Sequence, residues 1–176
     1  TGICYMGGLG IASATSTLVA QAIGAGDPVR ARDTARTGLR LALALALTTG
    51  TLLWLARTPI TNAYTSDAGV AAASLSLIGL VAIFHVFDSL QTQFGFILRA
   101  YKIATMPMVV YVLAMWGIGL GGGYLLTFLP DPEGPLGVFN GERSGALGFW
   151  AAGAASLVIA AAGLGGLLFR TWRRDG

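Results

Sequence analysis

Residues 84–91 read FHVFDSLQ, and residues 92–102 continue TQFGFILRAYK. Asp88 has Phe84, His85, Gln91 and Thr92 at positions −4, −3, +3 and +4, the spacings that share one face of an α-helix. Gly95 and Arg99 continue that side. A carboxylate, an imidazole, an amide and a hydroxyl on one stripe, with an aromatic ring one turn away, can hold a cation or exchange a proton. The stretch before them, AGVAAASLSLIGLVAI (68–83), carries no charge. Asp88 precedes Arg99 by eleven residues, about 16 Å along a helix axis. That depth is near a bilayer midplane, where a charge costs at least about 2.5–3.5 kcal/mol. One reading is a structural aspartate, neutral or paired with His85 or with a helix beyond this sequence. The other is a site for a proton or cation. Intramembrane ionisable groups mark ion and substrate paths, so we assign Asp88, Phe84, His85, Gln91 and Thr92 as candidate ion- and substrate-binding residues. His85 either tunes Asp88 or bonds a neighbour. No firm metal site is expected, and Na⁺ at Asp88 is the one candidate.

The elements that must position this stripe follow from composition. Of 176 residues, 55% are hydrophobic and 11% charged, and the mean hydropathy is +0.71. Soluble domains carry about 25% charged residues. Charge-free runs cover 1–26, 41–56, 68–87, 103–130 and 144–169. Crossing the hydrocarbon takes about 20 apolar residues. Four runs suffice alone, and the short one is flanked by Arg40 and Arg57, whose stems can snorkel. A transmembrane β-barrel would alternate polar and apolar residues. LALALALTTG (41–50) alternates leucine and alanine and has no polar face. The expected fold is therefore all-α, a polytopic bundle of five membrane helices over about 1–25, 28–57, 68–98, 106–128 and 149–169, forming a single unit across 1–176.

Local signals refine the connections. Gly24 or Gly26 stops the first helix, and Asp27 with Pro28 starts the second at once. Arg32, Arg36 and Arg40 then share a face and read as an interfacial turn facing lipid phosphates in general rather than a specific lipid site. TNAYTSD (61–67) is expected to be a short connection, with Ser66 or Asp67 capping the third helix. PDPEGPLGVFNGERSGALG (130–148) is expected to be an irregular outer loop, and RTWRRDG (170–176) a tail. Nine of the eleven basic residues fall on the side reached after the first helix, and only Arg57 and Arg143 on the other. Basic loops stay cytoplasmic, so the carboxyl terminus is expected inside. The basic residues are too dispersed for nucleic acid.

Enzyme signatures are missing. GGLG (7–10) and GLGGG (119–123) follow no strand, so neither reads as a phosphate loop. An intramembrane aspartyl protease would need two membrane aspartates, and Asp88 is the only acid in the apolar core of these spans. Cys4, the single cysteine, reads as apolar filler. Ser13, Thr15, Ser16, Thr17 and Gln21 either bond helix backbone or line a cavity. Phe87, Tyr111, Trp116 and Tyr124 either pack or line one. The glycines at 117, 119, 121, 122 and 123 serve close packing or bending. The chain begins with Thr1, and its first apolar run has no basic leader, so we expect a piece of a longer protein.

Several stretches in order, QAIGAGDPVRARDTARTG (21–38), NAYTSD (62–67), FHVFDSLQTQFGFILRAYK (84–102), MWGIGLGGGYLLTF (115–128) and GALGFW (145–150), resemble the carboxy-terminal half of multidrug and toxic compound extrusion (MATE) transporters of the NorM-like bacterial branch. The resemblance covers nearly the whole chain. It implies five helices of a six-helix lobe, one of two lobes around a central cavity, with the amino-terminal lobe supplied by the rest of the same chain. It implies export of organic cations or amphipathic drugs against Na⁺ or H⁺, with no other cofactor and no enzyme activity, in a bacterial inner membrane. FDSLQ matches a family pattern similar to FDALQ, which places Asp88 on the family's acid and Phe84 on its aromatic residue. Ala100 and Ile103 stand where glycine and aspartate are usual, and His85 where glutamine is. A lipid-linked oligosaccharide flippase of the same superfamily would show more basic residues facing the cavity. A non-transporting membrane scaffold would tolerate leucine at position 88.

Overall fold

A computed structural model describes residues 2–128 and 145–174. In chain order it contains α1 (Gly2–Gly24), α2 (Pro28–Leu55), α3 (Arg57–Tyr64), α4 (Ala68–Ala100), α5 (Thr105–Val112), a π-helical segment (Leu113–Gly122), α6 (Gly123–Phe128) and α7 (Gly145–Arg174). The described residues form helices and connections and no strand. Five stretches are long and apolar enough to cross a membrane: those within α1, α2, α4, the continuous Thr105–Thr127 run, and α7.

Helix ends follow local chemistry. α1 closes with Gly26 at φ +72°, its N–H on the Ile23 carbonyl and the Asp27 N–H on the Ala22 carbonyl, the paired bonds of a Schellman stop. Asp27 then caps α2 by accepting from the Arg30 N–H at 2.9 Å, with Pro28 in the first turn. Asp67 caps α4 in the same way through the Val70 N–H at 2.8 Å. α4 ends in a second Schellman stop, with Ile103 bonding the Leu98 carbonyl and Lys102 bonding the Arg99 carbonyl. Lys102 occupies the left-handed position, φ 61°, that glycine ordinarily takes.

Packing relies on small residues. On α2 the buried positions are Ala31, Ala35, Gly38, Ala42, Ala46 and Gly50, while Leu41, Leu47, Leu52 and Leu55 are exposed. Lipid solvates leucine as well as a protein interior does, so close backbone approach drives association. Gly38 marks the tightest approach. A Cβ there would strike the Thr15 and Gln93 side chains. α1, α2 and α4 form a mutually packed triad, α7 packs on α4, and the α5–π–α6 span packs on α7.

The structure departs from sequence expectation at three places. Residues 57–64 form α3 instead of belonging partly to the second span and partly to an open connection, with Pro59 in the first turn, where proline is tolerated. The expected tail is helical through Arg174, which carries basic residues into the last turn of α7, where they complement the helix dipole. Thr105–Phe128 is not uniformly α-helical. Its glycine-rich middle is π-helical, with Gly119 against Ser156 of α7, and Gly123, the first residue of α6, lies against Phe149. Close packing thus falls to Gly119 and Gly123, whereas a Cβ at Gly117 would meet nothing within 4 Å. The outer loop expected over 130–148 lies outside the described residues, apart from its last four, which begin α7.

Candidate functional site

α4 carries the candidate stripe and is also the central helix, so each residue on it meets a different neighbour. Asp88 is half-buried and accepts a hydrogen bond from Gln91 Nε2 at 3.2 Å. The same amide nitrogen reaches Thr92 Oγ1 at 3.2 Å. Gln91 and Thr92 are buried, 7% and 8% exposed. Gln91 thus joins carboxylate and hydroxyl into one polar unit. His85 turns towards α2, where its Nε2 meets Thr49 Oγ1 at 2.8 Å. Phe84 faces α7 and stacks edge-on against Trp150 with centroids 5.7 Å apart. The stripe is therefore divided. Asp88, Gln91 and Thr92 form a connected group, whereas His85 and Phe84 are engaged by α2 and α7.

The connected group borders an open cleft of about 270 Å³. Gln91, Thr92, Gly95 and Arg99 form its α4 wall, Tyr5 of α1 and Tyr111 of α5 face them, and Leu164 of α7 contributes apolar surface. Arg99 stands at one end with its guanidinium 5.1 Å from the Phe96 ring centroid. A smaller void of about 10 Å³ lies behind the stripe between Tyr5, Gly8, His85, Ser89 and Thr92. Larger grooves between α1 and α2 and between α2 and α4 contain none of the five candidate residues. Among the described residues no cluster of three or more His, Cys, Asp or Glu side chains could hold a metal. The cleft wall instead offers neutral oxygens, aromatic faces and the Arg99 cation, and the Asp88 carboxylate is joined to that wall through Gln91.

The polar residues of α1 serve mainly as packing links. Thr15 and Thr17 bond their own helix at Ile11 and Ser13. Ser16 donates across to the Phe96 carbonyl, and Gln93 donates to Thr15 at 3.0 Å. Trp116 and Tyr124 are exposed on the π segment and α6. Two site residues escaped the sequence reading. Thr49 stands among apolar residues in LTTG, and the hydroxyl pair there is its only local signal. Tyr5 is an isolated amphipathic ring in the first apolar run.

A family model described as MatE matches residues 1–125. This chain belongs to the MATE family. Its relatives include a probable multidrug resistance protein NorM from Aromatoleum aromaticum, 38% identical over 98% of this chain and 36% of the relative. Multidrug resistance protein PmpM from Pseudomonas aeruginosa is 36% identical over 77% of this chain and 29% of its own length. The chain thus spans about a third of the curated MATE relatives it matches. The crystal structure of the eukaryotic MATE transporter AtDTX14 superposes with a TM-score of 0.80 at 22% identity, covering 98% of this chain and 36% of that one. The all-α polytopic fold expected from sequence is thereby the MATE fold over this length.

Proposed function

We propose that this chain is part of a secondary multidrug efflux transporter that exports organic cations or amphipathic drugs in antiport with Na⁺ or H⁺, and that Asp88 carries the exchange. The observation behind this is the half-buried Asp88 carboxylate, at mid-depth of a membrane-length helix, hydrogen-bonded to Gln91, which with Thr92, Tyr5 and Tyr111 walls a cleft. Membership of the family, with relatives named as multidrug resistance proteins, supports the reading. A proton would bind the carboxylate directly. Na⁺ would take the Asp88 carboxylate and the Thr92 hydroxyl, hard oxygen donors suited to a hard cation, in place of the Gln91 amide N–H groups that now bond them. A cationic drug would be attracted by the same charge and by the faces of Tyr5 and Tyr111. Ion and drug therefore compete for one negative site. Each shifts the balance between outward- and inward-open arrangements only as far as its affinities for the two states differ.

Alternating access of this kind rocks two bundles about a shared site. The second bundle would be the amino-terminal lobe of the full-length protein. The charge distribution supports a cytoplasmic carboxyl terminus in a bacterial inner membrane. The decisive experiment replaces Asp88→Asn in the full-length protein and follows efflux of a fluorescent organic cation under imposed Na⁺ or pH gradients. We expect gradient-driven efflux to fall to background while membrane insertion is retained. Intact coupled efflux in Asp88→Asn would overturn the assignment. Whichever gradient drives the wild type identifies the ion.

A further inference from the structure

Basic residues that are dispersed along the sequence fall together at one end of the bundle. α1 and α4 end, α2 begins and α7 ends at the same end of the bundle. A common core of Val19, Ala22, Ala31, Ala35, Ile97, Leu98, Leu164, Leu168 and Trp172 seals it. Trp172 is the hub. It is 6% exposed, and its indole Nε1 donates to the Tyr101 hydroxyl at 3.2 Å. Phe169 stacks edge-on against it at 5.5 Å. The Arg36 guanidinium lies 5.5 Å from the Trp172 ring centroid, which ties the start of α2 to the end of α7, and it also forms an exposed ion pair with Asp33 at 3.3 Å, a pair worth little in water that a phosphate can share. Arg32 lies one turn before Arg36 on the same face. Its Nη2 is shielded from water and has no hydrogen-bond partner among the described residues. Lys102 follows Tyr101 and is held outward in the left-handed position. Arg173 follows Trp172, in the last turn of α7.

A guanidinium nitrogen without water and without an acceptor has a strong unmet demand for an anion. The neighbouring charges belong to three separate helix ends, so an anion with several oxygens can satisfy them together. Phe169, 56% exposed, provides apolar surface on the bilayer side of the same corner. We propose that this corner, Arg32, Arg36, Lys102 and Arg173 around Trp172, binds the phosphate headgroup of an anionic phospholipid, with an acyl chain along Phe169. The site is independent of the transport reading, because it uses no residue of the cleft.

Native mass spectrometry of the full chain in detergent tests this, with phosphatidylglycerol and phosphatidylcholine as paired probes. Phosphatidylglycerol should be retained preferentially. Arg32→Gln and Arg36→Gln should each weaken retention roughly fivefold, the effect of removing one basic residue from an anionic surface. Arg57→Gln at the opposite end should leave it unchanged. If Arg32→Gln does not fold, Arg36→Gln and Lys102→Gln carry the test, since both side chains are exposed. Equal retention of the two lipids, or equal losses in Arg36→Gln and Arg57→Gln, would refute the site. Displacement of the lipid by glycerol phosphate at matched concentration would also refute it, by showing a solute-anion site.

Discussion

At the residue scale, four polar side chains of α4 divide into two groups. Asp88 is linked to Gln91, and both Gln91 and Thr92 face the cleft. His85 bonds Thr49 across 36 residues of sequence. That separation yields a prediction. Thr49→Val leaves the buried imidazole short of a partner and should destabilise the chain in detergent by about 0.6–2 kcal/mol, the range for interhelical hydrogen bonds in membranes. Thr48→Val should be close to neutral, because Thr48 is exposed and bonds only the Ala44 carbonyl of its own helix. Thermal unfolding followed by tryptophan fluorescence compares the two. Equal melting temperatures would show that the His85–Thr49 contact carries no weight.

At the element scale, backbone details set how helices meet and stop. Gly38 allows α2 to approach the Thr15–Gln93 pair, so Gly38→Ala must push that bonded pair apart. A loss of about 1–3 kcal/mol is expected, as for overpacking elsewhere. Gly10→Ala meets nothing within 4 Å and should stabilise α1 slightly. Melting curves of the two variants should therefore move in opposite directions. Lys102 provides the converse case. Placing a non-glycine residue in the left-handed region costs about 1–2 kcal/mol. Lys102→Gly should raise stability by about 1 kcal/mol. It should at the same time lower phosphatidylglycerol retention. A rise in both quantities would separate Lys102 from the lipid corner.

At the scale of the whole molecule, charge asymmetry and the shared helix ends make a topology prediction. In a Cys4→Ser background, Arg173→Cys should react with an impermeant maleimide only in inverted vesicles. Tyr64→Cys, at a position 89% exposed at the end of α3, should react only in right-side-out vesicles. The reverse pattern would invert the orientation inferred from the basic residues and place the lipid corner on the outer surface.

Much of the fold was legible because membrane insertion depends on local quantities. Span length, charge-free runs, the caps at Asp27 and Asp67 and the α4 stripe are set within a few turns of chain. The family resemblance added the lobe, but not the neighbours. α3 was hidden because Pro59 reads as a terminator, although it is equally suited to a first turn. The division of the stripe was hidden as well. Helices that are apolar all round carry little directional signal, so small residues such as Gly38, Ala46 and Gly119 decide which faces meet. That choice brings Thr49 to His85, Trp150 to Phe84, and Tyr5 and Tyr111 to the cleft. It also gathers cations from three helix ends around Trp172. By itself the sequence determined that this chain crosses a membrane as helices with one carboxylate at mid-depth. Only the tertiary structure decided what that carboxylate and those cations face, because contacts between distant turns depend on how the helix surfaces fit together and leave no periodicity along the chain.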